Sequence, residues 1–145
     1  MNYYEVKIVT GDGDAIEIGK EEIEQKIIRS VKIMFDTTDE KNLLQKSSSM
    51  LAKITITGDI SSDVKDKLIK IFNWSKDFSN ATTYRQVVLT IKSDETTVMR
   101  TYEYGNMYVC DYTEEYEGEN SGGVIGTFEL KIFQKENSFK SIDTY

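Results

Sequence analysis

Between Phe128 and Phe133 the chain alternates without interruption: Phe128, Leu130 and Ile132 fall on one side, Glu129, Lys131 and Phe133 on the other. A period of two is the repeat of an extended strand with one face turned to a core, and no helix sorts residues in this way. The same alternation recurs at Tyr4, Val6 and Ile8 against Glu5 and Lys7, at Ala52, Ile54 and Ile56 against Lys53 and Thr55, and at Val87, Leu89 and Ile91. The chain therefore has to fold around sheet.

The segments between these runs set the connections. Thr10-Gly11-Asp12-Gly13-Asp14 supplies the residues of a tight turn, so Ala15–Ile18 is expected to pair back as a short hairpin strand. Residues 20 to 30 fit helical spacing through Ile23, Ile27, Ile28 and Val31, while Val31, Ile33 and Phe35 alternate; a strand over about 27–36 is favoured. Strands are also expected over 51–60, 84–92, 98–104 and 107–116, with a break at Gly105-Asn106 and a Gly- and acid-rich connection over 117–123. The tail from Glu136 onward is expected to fray, apart from Phe139 and Ile142. One segment reads as helix, about 61–76: Ser61 or Ser62 can cap it, Asp63 lies in its first turn, and Val64, Leu68, Ile71 and Phe72 form an apolar stripe. Seven or eight strands and one helix predict a mainly β (α+β) fold. The expected form is an antiparallel β-sandwich or small barrel with the helix packed on it, as a single domain over 1–145.

Composition removes much chemistry. The chain has no histidine, no proline and one cysteine. Ser-His-Asp and Cys-His nucleophile systems and histidine-ligated metals are thereby excluded, and no intrachain disulfide can form. A net charge of −7 argues against a protein that binds nucleic acid by neutralising phosphate. The first residues lack the basic and apolar regions of a signal peptide, and no apolar run reaches about 18 residues, so a soluble chain without a membrane span is expected.

Several residue groups could carry chemistry. Ser62-Asp63-Val64-Lys65 matches the S-x-x-K pattern in which lysine deprotonates a serine nucleophile, but a chain this rich in serine and lysine holds about one such pair by chance, and helix capping explains it. Asp12 and Asp14 resemble the start of a calcium loop that Ile16 and Glu17 then fail to continue. Asp111, Glu114, Glu115, Glu117 and Glu119 place five carboxylates in nine residues; a cation site or an acid–base pair is possible chemistry for them, and a solvated strand end is the plainer one. Cys110, among alternating strand residues, is expected to be a small buried apolar group. Tyrosines at 102, 104, 108, 112 and 116 suit a protein or glycan interface as well as strand propensity. No catalytic set, metal or cofactor is expected.

The order of elements from Leu51 onward carries a resemblance. Gly58-Asp59-Ile60 leads into the helix, followed by Val87-Val88-Leu89-Thr90-Ile91, Arg100-Thr101-Tyr102, Asn106-Met107-Tyr108-Val109, Asp111-Tyr112 and Gly126-Thr127-Phe128-Glu129-Leu130. This resembles the tube proteins of contractile injection machines: phage tail tubes, R-type bacteriocin (tailocin) tubes and the haemolysin-coregulated protein of type VI secretion. It also resembles short proteins of Gram-positive anaerobes that carry the name membrane-associated protease, although neither a protease constellation nor a membrane segment is present. The resemblance covers residues 50 to 134 well and 3 to 49 loosely.

It implies a non-enzymatic structural subunit that forms six-membered rings stacking into a hollow tube, partnered by sheath and baseplate proteins, assembled in the cytoplasm and then part of a phage-like particle. The loop over 37–49 would reach neighbouring subunits. Lys41, Asn42, Leu43 and Leu44, with Tyr108 and Tyr112, are then the expected interface residues. Asp111, Glu114, Glu115, Glu117 and Glu119 are the expected acidic surface or channel wall. An acidic wall would let DNA slide past without specific binding. The alternative is a monomeric or dimeric protein- or glycan-binding module; an enzyme using Ser62 and Lys65, or the carboxylates at 111–119, is a third.

Overall fold

A computed structural model describes residues 1–36, 51–79, 81–135 and 142–145. The expected loop over 37–49, with Lys41, Asn42, Leu43 and Leu44, lies outside the described residues. The strands are β1 (Tyr3–Val9), β2 (Ala15–Ile18), β3 (Ile28–Asp36), β4 (Leu51–Ile60), β5 (Arg85–Lys92), β6 (Val98–Ser121), β7 (Val124–Gln134) and β8 (Ile142–Thr144), and the helix is α1 (Lys65–Ser75). This is the β-rich α+β class that the alternation predicts.

Every pairing is antiparallel, along the path β2-β1-β5-β6-β7-β4-β3, with β8 added to β6. β6 is the strand that organises the rest. Its first half pairs with β5 as far as Met107, and its second half pairs with β7 from Met107 to the tip. One layer is thus β2-β1-β5 with the first half of β6, and the other is the second half of β6 with β7, β4 and β3. The layers curl until β1 and β3, which share no ladder, come close.

The core lies between them and follows the sequence pattern. Val6 and Ile8, Ile54 and Ile56, Val87 and Leu89, and Leu130 and Ile132 are all buried. Each aliphatic side chain removed from water in this way contributes roughly 1.5–3 kcal/mol before chain entropy is subtracted.

Four expectations change. α1 begins one turn later, after a 3₁₀ turn over Ser62–Val64, and neither Ser61 nor Ser62 makes a side-chain cap. Its buried stripe is Val64, Leu68, Ile71 and Trp74; Phe72 is rotated off it and remains exposed. Trp74 takes that place because its Nε1–H donates to the Thr83 carbonyl at 2.8 Å, so the indole is buried without an unsatisfied donor.

Gly105-Asn106 does not end the strand. Asn106 adopts φ +57° at a register shift, and β6 runs on to Ser121, where Gly122 (φ +59°) and Gly123 (φ +84°) make the two-residue hairpin turn. Of the tail expected to fray, Phe139 lies outside the described residues, Ile142 is held as expected, and Asp143 and Thr144 are held with it: β8 pairs Ile142–Thr144 with Tyr104–Tyr102 in line with the end of β7.

Candidate functional site

Among the described residues no strand pairs with the second half of β6 on the side that β5 occupied, so from Val109 to Ser121 it is an open edge. Residues 101–130, which contain this edge, carry seven acidic groups and no lysine or arginine.

Alternation divides them by face. Tyr112, Glu114 and Tyr116 stand opposite Leu130, Phe128 and Gly126, on the core side; Asp111, Thr113 and Glu115 stand opposite Lys131, Glu129 and Thr127, on the outer side. Asp111, Glu115, Glu117 and Glu119 are exposed. Among the described residues no acidic group combines with others into a metal-binding set.

On the core side one carboxylate ties two rings. Glu114 accepts from the Tyr112 hydroxyl through Oε1 and from the Tyr116 hydroxyl through Oε2, each at 2.7 Å. Burial, reinforced by the bond to Glu114, pushes the Tyr112 phenol well above its ordinary range, and the same carboxylate raises Tyr116. Tyr112 also meets Phe72 edge-to-face, 6.4 Å between centroids.

Glu114 and Tyr116 form one wall of a groove of about 720 Å³ between β6 and α1. Its other walls include Ile69 and Phe72 of α1 and Ile125 beside the tip, and with Tyr116 these are four of the chain's exposed large apolar side chains. Ser62 and Lys65 lie at the groove's helical end, and among the described residues the Oγ of buried Ser61 there has no hydrogen-bond partner. The arrangement offers apolar contact with a few polar points. No sequence signal foretold the groove, because its walls come from three distant segments.

The other sequence-predicted residues lie elsewhere. Tyr108 is half-buried on the outer face, edge-to-face with Tyr84 (6.0 Å) and Phe133 (6.4 Å), with Lys135 over Tyr84 and Lys53 over Phe133. Tyr104 is buried, its hydroxyl pushed up to about 12 by desolvation, and Tyr102 stacks on it. Cys110 is exposed rather than buried, because the register shifts by one residue between Val109 and Asp111 and the cysteine is the residue left over. Asp12 closes a turn, accepting from the Thr10 hydroxyl and from the Asp14 N–H at 3.0 Å.

No family model matches the sequence and no curated protein resembles it. Solved structures do match. The Hcp1 protein of the E. coli EAEC pathovar superposes with a TM-score of 0.62 at 8% identity, over 99% of this chain and 97% of that one. The fold is that of Hcp and injection-system tube proteins. Hcp1 of Salmonella typhimurium gives 0.58 at 9% identity, over 98% of this chain and 85% of that one. A chain of the extended sheath–tube complex of an extracellular contractile injection system, PVC, gives 0.52 at 13%, over 97% and 87%. At such identities the likeness speaks for the fold alone. Among the described residues no helix is long and apolar enough to cross a membrane.

Proposed function

We propose that the chain is a structural, non-enzymatic subunit of the inner tube of a contractile phage-tail-like particle, that copies assemble into six-membered rings, and that the rings stack around a channel. The observation that carries this reading is the match of nearly the whole chain to Hcp and to a chain of a sheath–tube complex, over 85% or more of each of those chains. Kinship with the short Gram-positive proteins named membrane-associated protease belongs to the same reading.

In this function Asp111, Glu115, Glu117 and Glu119 contribute an acidic surface toward the channel, and DNA or another anionic cargo passes without being trapped. Glu114, committed to two tyrosine hydroxyls, contributes to packing more than to that surface. Lys41, Asn42, Leu43, Leu44, Tyr108 and Tyr112 form subunit contacts. Assembly takes place in the cytoplasm, and sheath and baseplate proteins are the partners.

Negative-stain imaging with light scattering, on the chain alone and with its sheath and baseplate proteins, tests the reading. Rings or tubes are expected; a strict monomer under both conditions overturns it. Leu43→Asp with Leu44→Asp should abolish rings and spare the fold, and unchanged rings would remove the loop from the interface. The apolar groove favours one competing reading, a protein- or glycan-binding module, for which a homogeneous small species with a saturable partner is the expected result.

A further inference from the structure

The groove between β6 and α1 has a direction. Ile60, the residue before Ser61, pairs with Gly126, which on its other side pairs with Tyr116, whereas Phe72 meets Tyr112 edge-to-face. α1 therefore runs along the core side of the open edge, with its start near Tyr116 and the hairpin tip and Phe72 near Tyr112. Polar and apolar walls separate along this line. Ser61, Ser62 and Lys65 lie at the tip end, and Ile69 and Phe72 carry the helical wall on toward Tyr112.

The two charged groups on the groove differ in what they leave free. Glu114 commits one oxygen to the Tyr112 hydroxyl and the other to that of Tyr116. Lys65 is exposed and, among the described residues, makes no hydrogen bond or ion pair. Asp63 and Asp66, its acidic neighbours in sequence, do not line the groove. At the same end Ser61 is 8% exposed, and among the described residues its Oγ has no partner. A buried hydroxyl left unpaired is costly, and an oxygen acceptor entering this end supplies the group it lacks. The start of a helix adds to the preference for negative charge there.

An occupant that matches both halves has one anionic oxygen group at one end and an apolar body behind it. The volume of about 720 Å³ lies within the range of roughly 300–1,000 Å³ usual for small-molecule sites. A peptide matches less well. Its amides recur along its length, while beyond Lys65 the polar groups on the walls, Glu114 and the Tyr116 hydroxyl, are already paired with each other.

We propose that the groove binds a fatty acid, its carboxylate at Lys65 and the Ser61 hydroxyl and its alkyl chain laid along Ile69 and Phe72. The site is additional to the tube-subunit reading and does not rest on it.

Titration calorimetry of the full chain with dodecanoate, kept below its micelle concentration, tests the site. Saturable binding of one molecule per chain is expected. Octanoate should bind at least tenfold more weakly, since each fully buried methylene is worth about fourfold in affinity. Dodecylamine, with the same chain and the opposite charge, should also bind at least tenfold more weakly. Lys65→Glu should weaken dodecanoate by about tenfold without weakening dodecylamine, and Ile69→Asp should abolish binding of both. Both residues are exposed, so circular dichroism should show the parent fold. Lys65→Gln and Phe72→Asp take their places should either fail to fold. The site is overturned by the absence of saturable binding, by dodecylamine binding as tightly as dodecanoate, or by variants that bind as the parent does. A short apolar peptide acid that displaces dodecanoate at lower concentration overturns it in favour of a peptide. Binding that appears only when the chain is diluted to a monomer overturns it in favour of a second copy covering the groove. The tube reading, decided by imaging, stands or falls separately from all of these.

Discussion

Lys67 Nζ lies 2.5 Å from Glu24 Oε2, and the Glu24 side chain is almost wholly removed from solvent. The other carboxylate oxygen accepts the Gly19 N–H at 3.2 Å, so one buried acid fastens a 3₁₀ turn over Glu22–Glu24, just before β3, both to α1 and to the end of β2. Removing one partner strands the other charge. Lys67→Ala should therefore cost about 3–5 kcal/mol in urea unfolding, and the paired change Glu24→Gln with Lys67→Met should cost clearly less, because it leaves no unpaired buried ion.

Gly19 itself allows no side chain. It holds φ +98°, and a Cβ there would lie 2.1 Å from the Tyr4 carbonyl oxygen, a backbone atom that cannot yield cheaply. Gly19→Ala should lower stability by more than about 2 kcal/mol, read from the same unfolding curves, whereas Gly11→Ala, with nothing near its added Cβ, should change it far less.

Two tyrosines predict alkaline sensitivity. The Tyr104 hydroxyl is pushed from 10.0 to about 12 by burial, and Tyr112 is raised by burial and then by Glu114. A folded-state value above the unfolded one means that the unfolded chain loses its proton first. Stability is thus at full strength below pH 10 and declines as the pH rises toward 12. Urea midpoints taken across that window should fall for the parent and fall less for Tyr104→Phe. Midpoints independent of pH would contradict the assignment.

Trp74 is the sole tryptophan, buried under Arg85, whose guanidinium lies 5.1 Å from the ring centroid. Its fluorescence should be blue-shifted in the folded state and shift red in one cooperative step. Trp74→Phe should destabilise by about 2 kcal/mol, through the lost bond to Thr83 and the smaller ring volume.

The strands were legible because in them a residue's burial follows from its place in a two-residue period. Leu51–Ile60 and the inward face of β7 are read directly in this way. What escaped depends on distant partners. Phe72 and Trp74 are both plausible members of a helical stripe, and only the Thr83 carbonyl decides between them. Gly105-Asn106 has the composition of a stop, but β6 exchanges β5 for β7 there and continues. Cys110 inverts its expected burial through a shift of one residue, and alternation carries no mark of such a shift. The groove needed α1, β6 and the β7 tip to be brought together, a juxtaposition that no local pattern encodes.

The continuity of β6 has a mechanical consequence. Its first half is bonded on both sides, to β5 and β8, and its second half forms the outer border of the other layer without an intervening loop. A force applied along that border reaches the interior as shear, shared among many ladder hydrogen bonds at once. The same force on a border joined by a loop would peel the bonds one at a time. The left-handed Asn106 marks the junction across which that load must pass.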